Sequence, residues 1–212
     1  MQTLGIIGAG NMGLAFGTGL RARNAERKIS FFDIDRKKSE EAAEKCGASV
    51  SGDYAELLSG SEVILLAVKP QHIADVCAAL GPGAAEKNYI SIIAGTPISY
   101  IEKQVKTGRI VRFMPNLAAT VGESVVGISC GDSVDQAFRK EALEIAASVG
   151  TPIELPERLL SAITGLSGSG IAYAFAFLHA MALGGTDAGF SYQQALDIAY
   201  GTVRGAVKLL ES

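Results

Sequence analysis

Three glycines near the start of the chain form the pattern Gly8-Ala9-Gly10-Asn11-Met12-Gly13. The pattern directly follows an apolar run, Leu4-Gly5-Ile6-Ile7, and opens a segment with helical periodicity. In this context the first glycine permits a tight turn, the second lets a pyrophosphate approach the backbone, and the third lets helix and strand pack closely. The helix N-terminus adds amide donors and partial positive charge. The pattern therefore predicts a dinucleotide-binding loop.

An acidic residue, Asp33, stands 20 residues past Gly13, at the end of the next apolar run. A carboxylate at this position accepts hydrogen bonds from the adenosine ribose hydroxyls and repels a 2'-phosphate, which favours NADH. Three basic residues follow closely, Arg36-Lys37-Lys38. They are either phosphate ligands for NADPH or the solvated first turn of a helix. The sequence thus predicts NADH or NADPH as cofactor, with a lean towards NADH.

Two later segments are predicted to end strands at the same edge of a sheet. Ala67-Val68-Lys69-Pro70 closes a central apolar run, and Arg112-Phe113-Met114-Pro115-Asn116 closes another. Open parallel sheets bind ligands at the carboxyl ends of their strands. Lys69 is either a ligand for the cofactor ribose or phosphate, or an exposed lysine before a helix. Asn116 either pairs with a carboxamide or belongs to a common Pro-Asn turn.

Short apolar runs alternate with helical patterns through the first two thirds of the chain. Strands are predicted at 4–7, 29–32, 63–68, 89–93, 110–113, 125–129 and 152–155, with helices at 12–21, at 36–45 and from Pro70. Alternating strands and helices indicate an α/β fold with a mostly parallel sheet and right-handed crossovers. We therefore predict an N-terminal Rossmann domain over residues 1–156.

After Pro156 the pattern is helical only, with helices predicted over 168–183 and 192–210 and a break at 184–187. The first of these helices is apolar nearly all round, and one amphipathic neighbour cannot cover it. A region this small is also marginal as an independent core. We therefore predict an all-α dimerisation and substrate domain at 157–212, which is incomplete alone and packs against another subunit or against further chain.

Composition limits the class of protein. The 212 residues carry a net charge of -3 with scattered basic residues, which argues against a nucleic-acid partner. Three cysteines, Cys46, Cys77 and Cys130, lie far apart, which indicates reduced thiols in the cytoplasm and no thiolate metal site. Residues 171–183 are apolar but fall short of the ~20 that a bilayer requires. We predict a buried helix in a soluble protein there, with no membrane partner.

The chain resembles the pyrroline-5-carboxylate reductase family over all 212 residues. The motifs that carry the resemblance are Gly8 to Gly13, Ala67-Val68-Lys69-Pro70-Gln71, Ala94-Gly95, Arg112 to Asn116, and Thr164-Gly165-Leu166-Ser167-Gly168-Ser169-Gly170. The resemblance implies a Rossmann domain, a helical dimerisation domain and a homodimer or larger homo-oligomer. It also implies NAD(P)H-dependent reduction of L-1-pyrroline-5-carboxylate to L-proline, the last step of proline synthesis, by hydride transfer to the ring imine carbon.

The resemblance also implies roles for individual residues. Together with Asp33, the expected cofactor-binding residues are Gly8, Ala9, Gly10, Asn11, Met12, Gly13, Ala67, Val68, Lys69, Pro70, Ala94, Gly95 and Asn116, with Asn116 near the nicotinamide. The expected substrate-lining residues are Met114, Ser167, Gly168, Ser169 and Gly170. No residue of the chain is assigned as the proton donor.

Three departures from the family pattern leave an alternative open. Leu117-Ala118 replaces the usual Thr-Pro, and Ile171 replaces a proline at the start of a helix. Family members also continue into a Ser-Pro-Gly-Gly-Thr-Thr stretch, which binds the substrate carboxylate and supplies a hydroxyl near the imine nitrogen. We therefore expect a truncated chain. The alternative function is a catalytically inactive or truncated relative that binds a dinucleotide, a protein partner, or both.

Overall fold

The computed structural model describes residues 3–212, so Met1 and Gln2 of the predicted first domain lie outside the described residues. Eight strands form one sheet in the order β3-β2-β1-β4-β5-β6-β7-β8. The strands are β1 (Leu4–Ile7), β2 (Ile29–Phe32), β3 (Ser49–Val50), β4 (Val63–Leu66), β5 (Asn88–Ser91), β6 (Ile110–Met114), β7 (Ser124–Cys130) and β8 (Gly150–Glu154). The α-helices are α1 (Asn11–Arg23), α2 (Arg36–Cys46), α3 (Tyr54–Ser59), α4 (Ile73–Ala79), α5 (Ile98–Val105), α6 (Gln136–Ala147), α7 (Leu160–Ile163), α8 (Gly170–Asp187) and α9 (Tyr192–Leu210).

The sheet is parallel from β3 through β6. In the central register Ile6 of β1 lies between Phe31 of β2 and Leu65 of β4. Strands β1 and β4 are buried along their whole length, which explains their continuous apolar sequences. Strand β7 runs antiparallel to β6, and β8 runs parallel to β7. The predicted α/β fold with a mostly parallel sheet is therefore confirmed.

Helices cover both faces of this sheet. One face packs against α1, α2 and α6 around aromatic residues such as Phe16 and Phe113, whose ring centroids lie 6.1 Å apart. The opposite face packs against α3, α4 and α5 around residues such as Tyr89 and Ile101. The two layers of helices leave the carboxyl ends of β1, β2, β4, β5 and β6 at one common edge.

Several predicted boundaries were wrong. The central strand ends at Leu66 rather than at residue 68, and a 3-10 turn, Pro70–His72, precedes α4. The predicted break at 184–187 is also wrong, because α8 continues through Asp187. A Cβ atom on Gly185 would lie 2.6 Å from the Cβ of Ala195, so this glycine allows two helices to approach closely. The chain leaves the helix after Ala188, where Gly189 adopts a positive φ of 98°.

By its internal contacts the chain forms two compact units, one ending at Gly168 and the other comprising 169–212. In the second unit α8 packs against α9, which begins with a capping box formed by Ser191 and Gln194. The buried residues of these two helices are Ala182, Ala195 and Ala199.

The apolar side chains of α8 are largely exposed. Tyr173, Phe175 and Phe177 are each about three-fifths exposed. The helical stretch Glu157–Asp187 has the length and composition of a membrane span. Only 6% of its most apolar 18-residue part is buried. Within a single chain α8 is therefore not buried, and α9 alone does not cover it, as the sequence predicts.

Candidate functional site

The glycine loop joins β1 to α1 and packs against the end of β4. Gly8 has a φ of 103°, a conformation that residues with a side chain rarely adopt. A Cβ atom on Gly8 would lie only 2.6 Å from the carbonyl oxygen of Ala67. Gly13 makes a similarly close approach to the carbonyl oxygen of Gly8. These two glycines therefore bring the loop, the helix and the neighbouring strand together.

Gly10 has a different environment. It is exposed, and apart from Gly10 and its two chain neighbours no atom of the described chain lies within 4 Å of a Cβ built on it. Within residues 3–212, no side chain caps α1 and its first turn carries no acidic residue. The first amides of the helix are thus available to an anion, which the positive end of the helix dipole also favours. This open, uncapped turn fits the pyrophosphate of a dinucleotide.

Asp33 connects the end of β2 to the glycine loop. Its Oδ2 accepts a hydrogen bond from the backbone N–H of Ala9 at 2.9 Å, and its Oδ1 accepts one from the N–H of Asp35 at 3.0 Å. A carboxylate has about four acceptor positions, so further hydrogen bonds to Asp33 are available. The carboxylate therefore lies beside the turn that is expected to hold the pyrophosphate.

The three basic residues that follow Asp33 are exposed and lie in the first turn of α2. Each has an acidic partner within or next to the same helix, and the pairs are Arg36–Glu40 at 2.8 Å, Lys37–Glu41 at 3.8 Å and Lys38–Asp35 at 3.5 Å. Pairs of this kind belong to the solvated face of a helix. The structure thus gives each of these cations an acidic neighbour.

Sequence reasoning missed Tyr54, which begins α3. Its ring packs on that of Phe32, with centroids 4.4 Å apart. Burial raises the pKa of the Tyr54 hydroxyl, and the negative charges of Asp33 and Asp75 raise it further. Tyr54 therefore lies near the carboxylate assigned to the ribose. Its position in an ordinary helical pattern offered no signal of this.

The remaining cofactor residues follow the ends of the next strands. Ala67, Val68, Lys69 and Pro70 follow β4, with Lys69 exposed. Ala94 and Gly95 follow β5; both are exposed, and Gly95 has a φ of 71° with open space where a Cβ atom would lie. Met114 ends β6 and is half-buried. Of these residues, the structure brings Ala67 and Val68 into contact with the glycine loop.

Asn116 is buried and contacts Ser167. Its Nδ2 donates to the Ser167 hydroxyl at 2.8 Å and to the Ser167 carbonyl oxygen at 3.3 Å. Its Oδ1 accepts from the N–H of Ala118 at 3.0 Å, and its own N–H donates to Ser124 Oγ at 2.9 Å. The side-chain amide that is predicted to pair with a cofactor carboxamide thus donates to Ser167 in this structure.

Ser167 and Gly168 lie in a π-helical turn, Thr164–Gly168. Turns of this kind are rare and often occur at functional sites. Ser169 and Gly170 belong to the second compact unit, where Ser169 precedes α8 and Gly170 is its first residue.

Comparison with known families matches two parts of the chain. Residues 3–95 match the family described as NADP oxidoreductase coenzyme F420-dependent. Residues 157–212 match the family described as pyrroline-5-carboxylate reductase dimerisation.

Similar proteins match almost the whole chain. A pyrroline-5-carboxylate reductase of Methanosarcina acetivorans is 41% identical over 98% of this chain and 78% of the relative. A reductase of the same name from Aquifex aeolicus is 38% identical over 98% and 78%.

Solved structures give the same result. The pyrroline-5-carboxylate reductase of Coxiella burnetii superposes with a TM-score of 0.94 at 30% identity, over 100% of this chain and 80% of that one. The Plasmodium falciparum pyrroline carboxylate reductase with NADP bound has a TM-score of 0.86 at 26% identity, over 100% and 79%. With the strand order, the glycine loop and these similarities together, the chain belongs to the pyrroline-5-carboxylate reductase family.

Proposed function

We propose that this chain reduces L-1-pyrroline-5-carboxylate to L-proline with a nicotinamide dinucleotide. The observation that carries the proposal is the open, uncapped turn at Gly10, in a chain that matches reductases of this name over 98% of its length. When bound, the dihydronicotinamide supplies a hydride to the imine carbon, and the ring nitrogen takes up a proton. The products are then proline and the oxidised dinucleotide.

The cofactor is held in this proposal by the loops at the carboxyl edge of the sheet. The glycine loop binds the pyrophosphate through the first amides of α1, and Asp33 accepts hydrogen bonds from the ribose hydroxyls. The loop after β4, including Lys69, and Ala94-Gly95 after β5 line the path towards the nicotinamide. Their position on consecutive parallel strands supports this arrangement.

NADH is the preferred cofactor in this proposal. The Asp33 carboxylate already lies against the Ala9 amide, where the negative charge of a 2'-phosphate is unfavourable. The nearby cations of α2 have acidic partners, which reduces their attraction for that phosphate. Exposed ion pairs are worth only about 0.2–1 kcal/mol, so these cations can still rearrange. We therefore expect a preference for NADH and measurable activity with NADPH.

We assign substrate binding to Met114 and to Ser167-Gly168, and also to Ser169-Gly170, which follow in the second unit. Asn116 acts there by fixing the hydroxyl and carbonyl of Ser167. Backbone amides and a serine hydroxyl are suitable donors for a substrate carboxylate.

The second unit assembles the protein into a homodimer or a larger homo-oligomer in the cytoplasm. Its exposed aromatic side chains on α8 form an apolar surface that a second copy would cover. The match of 157–212 to a dimerisation family supports this partner over a lipid bilayer or a nucleic acid.

The proposed activity can be tested with purified protein by following the absorbance of the reduced nicotinamide. We expect oxidation of NADH, and more slowly of NADPH, only when the imine is added. Binding of NADH without imine-dependent oxidation would instead support the inactive, dinucleotide-binding relative.

A further inference from the structure

Strand β6 carries a charged residue that is buried. Arg112 occupies the middle of β6, between β5 and β7, and is only 6% exposed. Its Nη1 donates to Glu157 Oε1 at 3.0 Å, and within residues 3–212 its Nε has no hydrogen-bond partner. A buried charge is costly unless it is paired, so Glu157 is the group that makes this position tolerable.

The same oxygen of Glu157 also accepts a hydrogen bond from the backbone N–H of Ile98 at 2.7 Å. Ile98 is the first residue of α5, and the residue before it, Pro97, provides no capping side chain. A carboxylate at this place satisfies a free amide and interacts favourably with the helix dipole. Glu157 therefore joins β6, the start of α5 and its own segment through a single atom.

Glu157 begins a segment that ends at the substrate side. We name residues 157–168 the docking segment. Its middle packs on β7 at Gly127, where a Cβ atom would lie 2.9 Å from Leu160 Cδ2 and 3.1 Å from Ile163 Cδ1. Its far end is held by the hydrogen bonds from Asn116 to Ser167. The docking segment is thus attached at its first residue, in its middle and near its end.

We propose that Arg112 and Glu157 are positioning residues, which set the docking segment so that Ser167 stands correctly on the substrate side. This inference rests on the proposed function for the substrate role of Ser167. Glu157 is 32% exposed, and neither exposed nor buried ion pairs contribute much net stability. The hydrogen bonds of Glu157 to Arg112 and Ile98, in contrast, fix the position of the first residue of the segment. Ser167 is the proposed donor to the substrate carboxylate, so a displacement of the segment by about 1 Å weakens imine binding.

The test compares two ion pairs of the same chain, each with a buried arginine; in the tested pair the side chain of Arg112 is 7% exposed and that of Glu157 is 32% exposed. Arg27 and Glu141 form the control pair, with side chains 4% and 13% exposed and an Nε on Arg27 that also lacks a partner within the described residues. This pair lies at the amino end of β2, away from the edge that carries the site. Its removal reports the general effect of losing a buried ion pair.

We would measure the KM for the imine, the Kd for NADH and the hydrogen exchange of backbone amides in Glu157→Ala and Glu141→Ala. For Glu157→Ala we expect the imine KM to rise about tenfold or more, while the Kd for NADH changes by less than about twofold. Amides of residues 160–168 should exchange faster, and those of β1 and β4 should be unaffected. Glu141→Ala should lower the melting temperature without either change.

Glu157→Gln provides a second variant in case the alanine variant does not fold. Gln keeps an acceptor oxygen for both Arg112 and Ile98, so this variant should retain an imine KM closer to that of the original protein. An unchanged KM in both Glu157 variants, or exchange as slow as in the original protein at 160–168, would overturn the proposal. If the original protein shows no imine-dependent turnover, the proposed function fails, and the exchange pattern alone decides whether the ion pair positions the docking segment.

Discussion

The side-chain amide of Asn116 donates hydrogen bonds to both the hydroxyl and the carbonyl oxygen of Ser167, 51 residues further along the chain. Asn116 follows β6 at the cofactor edge, and Ser167 lies in the π-helical turn assigned to the substrate. The contact therefore joins the two halves of the proposed active site. Asn116 is predicted to lie near the nicotinamide, and in this structure its side-chain amide donates to Ser167.

The coupling of these two residues can be measured with a double-mutant cycle. Asn116→Asp keeps the acceptor for the Ala118 amide and removes the donors, whereas Ser167→Ala removes the hydroxyl. If Asn116 acts through Ser167, each single variant should lower kcat/KM for the imine, and the double variant should lower it by less than the product of both effects. Independent effects, with weaker NADH binding in Asn116→Asp alone, would indicate direct contact with the nicotinamide.

Blocking the glycine loop should abolish cofactor binding without unfolding the protein. Gly10 has a φ of -74° and open space at its Cβ position, so Gly10→Trp is compatible with the backbone and fills the pyrophosphate site. We expect NADH binding and imine-dependent turnover to be lost together, with a normal circular dichroism spectrum. Gly60→Trp is the control, since Gly60 is exposed near the amino end of β4, with a φ of -85°. Unchanged NADH affinity in Gly10→Trp would show that the pyrophosphate binds elsewhere.

The cofactor preference should depend on the charge of Asp33. Asp33→Asn retains an acceptor for the Ala9 amide but removes the repulsion of a 2'-phosphate. We expect the ratio of kcat/KM for NADH over NADPH to fall by about tenfold, equivalent to roughly 1.4 kcal/mol. Glu44→Gln removes an exposed charge of the same sign from α2, at a residue outside the pairs of Arg36, Lys37 and Lys38, and serves as the control. Equal shifts in both variants would attribute the preference to overall charge rather than to the position of Asp33.

The exposed face of α8 should govern assembly. The chain mass is 22.0 kDa, and we expect sedimentation analysis to give at least twice that value. Phe175→Glu places a charge on this face, where Phe175 is 63% exposed, and should shift the protein towards monomer. Ile153→Glu on β8 is a matched change of a half-exposed apolar residue in the other unit and should leave the mass unchanged. A monomeric original protein would contradict the homo-oligomer.

The protein should lose stability in alkaline solution through a buried thiol. Burial raises the pKa of Cys77 from 9.0 to about 11. The folded state therefore keeps its proton where the unfolded state has lost it, and the stabilisation present below pH 9 disappears as the pH rises through 11. This contribution is on the order of 3 kcal/mol. Cys77→Ala should reduce the fall in unfolding free energy between pH 9 and 11, measured by urea titration. An identical fall in both proteins would assign the effect to other groups.

The features predictable from sequence are those with local causes. The bounds of β1, β2 and α9 follow directly from apolar runs and helical periodicity, and the glycine loop from the spacing of Gly8, Gly10 and Gly13. By contrast β3 has only two residues, and its pairing with β2 defines it.

The ion pair between Arg112 and Glu157 could not be predicted from local sequence. Arg112 and Glu157 are 45 residues apart in sequence, and nothing near either residue identifies the other as its partner. A charged residue inside an otherwise apolar strand was the available signal that a buried partner exists. The predicted break at 184–187 was wrong for a related reason. Gly185 makes room for a neighbouring helix rather than forming a turn, and that helix is not adjacent to it in sequence.

The reductase activity itself is measured most directly by following the hydride. NADH in which deuterium replaces both hydrogens at nicotinamide C4 is incubated with the protein and L-1-pyrroline-5-carboxylate. The product is then analysed by mass spectrometry and NMR. We predict L-proline with one deuterium on the ring carbon that was double-bonded to nitrogen in the substrate. Proline without deuterium at that carbon, or no proline while NADH is bound, would contradict the assignment of this chain as a pyrroline-5-carboxylate reductase.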